Sequence, residues 1–346
     1  MKKVMLVGTA ANRPNAVGSM YRLEPGGEWQ KLTDFPDDAS VQAITPHPEW
    51  PALLFAATRK GIYRSTDDGR TWQRLDVTAE AIQFWTVVIH PTRPETLFAA
   101  GGPVSIYRSD DGGDSWRKCK ANHPERFKIS FGDSRVMRIA FHPVNPDVMY
   151  AVAEINGLLV SEDGGETWRG EPEGLLELAK LAHLKSRIET DDDAEGVFDA
   201  HSVCTTPADP DALFYVCRLG IFESRDKGKT FRDLEVGQFA PFSYARDCRF
   251  VCDDPRKMYA CFSISSRSNA GALYCSDDLG KSWHRADPQV DPASTMLGFG
   301  VHPSDPDGVI TVTRGAQVFF TTDGCRSWTE KRLPADAGDA FCAAIL

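Results

Sequence analysis

The chain predicts an all-β fold in which seven four-stranded sheets stand around one axis, a seven-bladed β-propeller. Three observations lead there. An eight-residue pattern, Ser65-Thr66-Asp67-Asp68-Gly69-Arg70-Thr71-Trp72, returns again and again down the sequence. Its aromatic end recurs mostly at intervals of about forty to fifty residues, the length of one four-stranded blade. Between copies, short apolar runs alternate with turn residues, which suits strands rather than helices.

The pattern comes back as Ser109 to Trp116, Ser161 to Trp168 and Ser276 to Trp283. Two copies drift: one runs from Ser224 to Phe231, and one from Thr321 to Trp328 with Cys325 where the others have Gly. An Asp followed two positions later by Gly suits a tight turn, since Asp bonds to backbone amides just ahead and Gly accepts positive φ. Each octet therefore predicts a hairpin tip. The leading Ser or Thr can bond to the Asp, and the closing ring re-enters the next strand to be buried. A calcium loop needs several convergent oxygens, whereas each octet offers one carboxylate turned toward its own backbone. These octets resemble the Asp-box, or BNR, motif of sialidase-like β-propellers, Ser/Thr-x-Asp-x-Gly-x-Thr/Ser-Trp, and the resemblance runs along nearly the whole chain. It implies a propeller of glycosyl-hydrolase-like type.

With Trp72 as ruler, the same position falls at Trp116, Trp168, Phe231, Trp283 and Trp328, and Trp29 in Gly26-Gly27-Glu28-Trp29 is a worn first copy. That makes seven units. Within a unit, an apolar strand (41–45) leads through a Pro-rich turn (47–51) to a second strand (53–58), a third (61–64) and the strand after the octet (72–75). The ends complete each other. Residues 4–9 match a second strand with no first strand before it, and 340–346 match a first strand with nothing after it. Pairing of 338–346 with 3–9 would close the ring in one composite blade and remove exposed sheet edges. All 346 residues then form one domain, with 170–199 as an insertion.

A net charge of −10 opposes unassisted binding to nucleic acid or anionic membrane, both of which select for basic faces. The apolar start, Val4 to Gly8, ends too soon at Asn12-Arg13-Pro14 for a secretory leader, and no long apolar run suits a bilayer. Nine cysteines with no Cys-x-x-Cys pair read as reduced, mostly buried thiols of a cytoplasmic protein, and Cys248 and Cys252 read as strand residues. No metal site and no cofactor is expected. His47, His90, His142 and His302, each followed by Pro, sit at equivalent turns in different blades. A metal needs ligands converging within a few ångströms, so these histidines read as turn residues.

Because strands alternate direction, the Pro-rich and octet turns share one face, and the irregular connections 10–18, 118–134, 170–199, 235–245 and 264–271 share the other. Variable loops on a rigid scaffold are where binding usually sits. The insertion carries Leu175, Leu178, Leu181, Leu184 and Ile188 at near-helical spacing, then Asp191-Asp192-Asp193. This predicts one amphipathic helix and a solvated acidic loop.

Where the second strand ends on the loop-rich face, equivalent positions hold Arg59, Arg218 and Arg314, with Glu154 in the fourth unit. The starts of inner strands add Trp85, Arg135, Arg138, His201 beside Asp199, and Arg246 beside Tyr244. Converging guanidiniums form a receptor for carboxylate or phosphate. The predicted ligand site is therefore the channel mouth, lined by Arg59, Arg218, Arg314, Arg246, His201, Trp85, Arg135 and Tyr244, for a small anionic or carbohydrate-like ligand. In the sialidases that the octets resemble, three arginines hold the substrate carboxylate, a Tyr paired with a Glu is the nucleophile and an Asp is the acid/base. This chain departs from them: the Arg-Ile-Pro signature is absent, seven units replace six, and no Tyr/Glu pair can be assigned. A glycosidase reading would draw its two carboxylates from Glu154, Asp199 and Asp247. A non-catalytic scaffold or assembly factor holding a protein partner is the alternative.

Overall fold

The computed structural model describes residues 3–123, 125–128, 130 and 132–346. Met1 and Lys2 of the apolar start, and Pro124, Ile129 and Phe131 of the 118–134 connection, lie outside the described residues. Seven sheets form, and the first in sequence is composite: Met5–Ala10, Met20–Leu23 and Gln30–Lys31 are joined by Asp339–Ile345. Met5 pairs with Ile345 and Ala10 with Asp339, antiparallel, so the expected closure of the ring is observed. Blades 2 to 7 follow in chain order, their innermost strands being Val41–Pro46, Gln83–His90, Val136–Phe141, Ala200–Thr206, Tyr244–Phe250 and Met296–Val301. One blade departs from four strands. Lys120–Asn122, leaving blade 3, lies parallel to Thr167–Gly170 as a fifth, outermost strand of blade 4.

The octets build the expected tips by one repeated circuit. Ser65 Oγ donates to Asp67 Oδ1 at 2.9 Å and accepts from Gly69 N at 2.9 Å, while Thr71 N and Oγ1 reach the two oxygens of Asp67 at 2.9 and 2.8 Å. Equivalent circuits surround Asp111, Asp163, Asp226, Asp278 and Asp323. The octet glycine also packs against the preceding blade: a Cβ on Gly165, at φ +84°, would stand 2.4 Å from Phe98. Cys325 holds the same left-handed conformation at φ 68°. The core is therefore a set of layers between neighbouring sheets, such as Phe98, Ala100, Val136, Met149 and Trp168 between blades 3 and 4.

The Pro-rich turns explain their histidines. His47 Nδ1 accepts the amides of Glu49 and Trp50 at 3.1 Å, and His90 and His142 each accept the amides two and three residues on. Each ring replaces a turn hydrogen bond. All nine cysteines are free, and Cys252 stands exposed in such a turn, past the end of its strand rather than within it.

The insertion differs from its expectation. In place of one helix over 175–188, α1 covers only Glu173–Leu178, a 3-10 turn follows at Ala182–Leu184, and α2 covers Glu195–Phe198. Leu175, Leu178 and Leu184 are buried with Phe198 and Tyr215, and Leu181 is exposed. The segment breaks because its apolar residues fill a fixed surface of blades 4 and 5, and Glu195, fully buried, draws the chain back. Its carboxylate accepts the amides of Ile188, Glu189 and Thr190. Asp193 accepts from Arg187, and Asp192 accepts from Ala194 N and, across to the 118–134 connection, from Arg126 Nη2 at 3.3 Å. Among the described residues, no helix is long and apolar enough to cross a membrane.

Candidate functional site

Each inner strand carries a β-bulge at the same register position. The extra residues are Gln42, Trp85, Met137, His201, Arg246, Leu297 and Phe341, one per blade. A bulge leaves one residue unpaired and re-aims its side chain. Trp85, Arg246, Leu297 and Phe341 thereby line a cavity of about 430 Å³ at the loop-rich end of the channel.

The second strands supply the next layer. Backbone amides of Arg59, Glu154, Arg218 and Arg314 donate to the carbonyls of Ala39, Arg135, Asp199 and Thr295, which confirms that the four positions are equivalent. All four side chains line the same cavity, together with Arg135, Asp199 and Tyr244. Sequence reasoning missed Asn12, Ile188, Ser266, Arg267, Leu297 and Phe341. Leu297 and Phe341 share the register of Trp85 and Arg246, a signal present in the repeat. The other four come from irregular connections, where no repeat could place them.

Six guanidiniums, those of Arg59, Arg135, Arg218, Arg246, Arg267 and Arg314, face this cavity against two carboxylates, Glu154 and Asp199. Glu154 forms an ion pair with Arg135 and stands 3.9 Å from Arg246 Nη1, while Asp199 lies 3.7 Å from Arg218 Nε. Arg314 is held from behind by Asp339 at 3.1 Å. The surplus shows in the titration of Arg59: burial and then the charge of Arg135 pull its guanidinium below the usual value. Arg59 and Arg135 also stand over the Trp85 ring, at 5.7 and 4.4 Å from its centroid, as cation–π partners. Among the described residues, the buried atoms around the cavity with no hydrogen-bond partner include Trp85 Nε1, Arg59 Nε and Asp199 Oδ1. Two are donors and one is an acceptor.

Three residues named from the sequence lie elsewhere. His201 is buried behind the wall, where its Nδ1 donates to Ala245 O at 2.7 Å and its Nε2 stands 3.5 Å from Asp199. Arg138 occupies the throat, donating to Met137 O at 2.8 Å. Asp247 opens with Arg138 on a second chamber of about 560 Å³ at the other end of the channel. There it accepts from Ser202 Oγ at 2.7 Å and from Arg249 Nε and Nη2 at 3.0 and 2.9 Å. The alternation of side chains along a strand separates Asp247 from its neighbour Arg246: one step of register carries it past the bulge and down the channel.

Burial raises the carboxyl of Asp199, but His201, Arg218 and Arg246 outweigh it and hold the group below its ordinary range. Burial pushes the Tyr244 phenol up to about 12. Neither state suits acid donation or phenolate attack near neutrality. Among the described residues, donor atoms of Glu154, Asp199 and His201 lie within 4.8 Å of one another, as do those of Cys275, Asp277 and His284 on the outer edge of blade 6. The first group is already engaged by arginines, and Lys257 Nζ approaches Asp277 at 4.0 Å in the second.

No protein-family model matches the chain, and none of the curated proteins compared with it matches. Solved structures do match in fold. A GH74 enzyme from Niastella koreensis superposes with a TM-score of 0.62 at 19% identity over 84% of this chain, which spans only 45% of that one. YCF48 from Cyanidioschyzon merolae gives a TM-score of 0.57 at 15% identity over 88% of both chains. YCF48 bound to D1 peptide gives 0.58 at 12% identity, covering 94% of this chain and 86% of that one. At these identities the likeness is one of architecture, and this chain shares the propeller fold of proteins that differ widely in what they do.

Proposed function

We propose that this chain is an Asp-box propeller that holds an anionic, carbohydrate-like ligand in the mouth opposite its octet turns. The observation that carries this reading is the imbalance of six guanidiniums against two carboxylates around one cavity of about 430 Å³. Charged bidentate hydrogen bonds make such a cluster a receptor for carboxylate or phosphate. Trp85 and Phe341 add apolar faces for a sugar ring, and Trp85 Nε1 and Asp199 Oδ1 offer one donor and one acceptor to hydroxyl groups. The family assignment rests on the octet circuit, repeated around six aspartates in the same atoms. A cytoplasmic setting, consistent with nine free thiols, belongs to the same reading.

Binding is favoured over hydrolysis. Of the three carboxylates considered for catalysis, Asp247 opens on the other chamber, and Glu154 and Asp199 are each engaged by arginine. Glycoside cleavage needs one carboxyl kept protonated near neutrality, whereas Asp199 is held ionised. A thermal-shift screen of sugar acids and phosphates tests the binding, and a panel of chromogenic glycosides tests for turnover. Stabilisation by a sugar acid without turnover is the expected result; silence across all anions would remove the reading.

The scaffold reading keeps one specific support. Phe239 and Ile264 stand exposed in the 235–245 and 264–271 connections on the mouth side, and YCF48, of similar fold, has been solved with a peptide. Stabilisation by peptides but by no small anion would favour it.

A further inference from the structure

The inner strands of blades 5 and 6 touch three times in succession. His201 Nδ1 donates to Ala245 O at 2.7 Å, Ser202 Oγ to Asp247 Oδ1 at 2.7 Å, and Cys204 Sγ lies 3.5 Å from Cys248 Sγ. The first two contacts hold the strands together, so the third is a fixed approach of two free thiols. A disulfide bond is about 2.05 Å long, so closing this gap asks for about 1.5 Å of combined sulfur movement. Both cysteines line the second chamber, and Cys204 is only half buried, so a small reagent entering from the octet face meets Cys204 first.

We propose that Cys204 and Cys248 are a modification site, a thiol pair that a small-molecule disulfide oxidises to a covalent staple between blades 5 and 6. The Cys204 thiolate attacks one sulfur of the reagent, forming a mixed disulfide and expelling one thiolate. Cys248 then loses its proton, attacks the Cys204 sulfur and expels the second thiolate. The sum is two protein thiols and one disulfide giving one protein disulfide and two small thiols, so no further oxidant is needed. The order follows from burial. Cys248 is almost wholly buried, and burial pushes its thiol well above the usual value, so it is the poorer first attacker. The staple would sit one residue from Asp247, whose carboxylate accepts the Cys248 amide at 3.0 Å, and would tighten the throat side of the channel.

Oxidised glutathione, added to the folded full-length chain, is the probe. Peptide mapping by mass spectrometry should find Cys204 linked to Cys248, two of nine thiols lost and a raised Tm that dithiothreitol reverses. Cys248→Ser should accumulate a stable glutathione adduct on Cys204, whereas Cys204→Ser should leave Cys248 unmodified. A persistent adduct on wild-type Cys204 without the cross-link, or a disulfide between any other pair, would overturn the proposal. The mapping needs no variant, so it stands even if a substitution impairs folding.

Discussion

Trp85 and Phe341 meet edge to face at the channel mouth, with ring centroids 6.2 Å apart and planes at 77°, although a whole blade stands between theirs. Phe341 reaches that point only because the last strand of the chain enters the first blade. Ring closure and the candidate site therefore share one strand, which Asp339 reinforces by holding Arg314 at 3.1 Å.

Deleting residues 339–346 should lower Tm sharply and broaden unfolding, because Met5–Ala10 loses its neighbour and a sheet edge is exposed. Phe341→Ala separates closure from binding. It should leave the ring folded, cost about 1–2 kcal/mol for a partly buried ring, and reduce stabilisation by sugar acids. An unchanged Tm for the deletion in calorimetry would contradict the pairing.

Arg218→Ala and Glu154→Gln should move anion affinity in opposite directions. Loss of a charged hydrogen bond of about 1.5–3 kcal/mol predicts affinity at least tenfold weaker for Arg218→Ala. Glu154→Gln releases Arg135 and Arg246 from their partner, so it should tighten anion binding several-fold while lowering the Tm of the free protein. Titration calorimetry at two salt concentrations reads both effects, and a parallel loss in the two variants would refute the role given to surplus positive charge.

Asp163→Ala removes the acceptor of Ser161 Oγ, Thr167 N and Thr167 Oγ1, and should destabilise by about 1–2 kcal/mol in urea unfolding. Gly165→Ala, where a Cβ would meet the Phe98 ring at 2.4 Å, should cost about 2 kcal/mol or more. Equal stability to wild type in either case would contradict the octet circuit as a stabilising element.

Stability should fall with acid in two stages. Burial, and then the charge of Arg93, lowers His90 from 6.5 to about 4. Between those values the unfolded chain binds the proton more readily, so stability is full above pH 6.5 and declines toward pH 4. Asp111, held down to about 2 by the hydroxyl and amide of Ser115 and the hydroxyl of Ser109, adds stability that is present above pH 4 and is lost as pH falls through 2. His90→Asn, which keeps an acceptor for the turn, should flatten the first stage in chemical denaturation across pH and leave the second. An unaltered first stage would exclude His90 as its source.

The sequence by itself determined the repeat, the number of blades, the hairpin tips and the closure, because each depends on contacts between residues near in the chain or on a pattern copied seven times. It also placed Arg59, Arg218 and Arg314 at one level, since equivalent positions in a repeat fall at equivalent heights. Only the tertiary structure decided which side chains share a chamber. The bulge of each inner strand turns Trp85 and Arg246 into the mouth and sends Asp247 past it. The insertion folds as short helical turns because blades 4 and 5, not its own periodicity, set the surface it must cover. Both outcomes have one physical reason: which way a strand residue faces past a bulge, and which surface an apolar segment covers, are set by packing against the neighbouring blades rather than by the residues next in the chain.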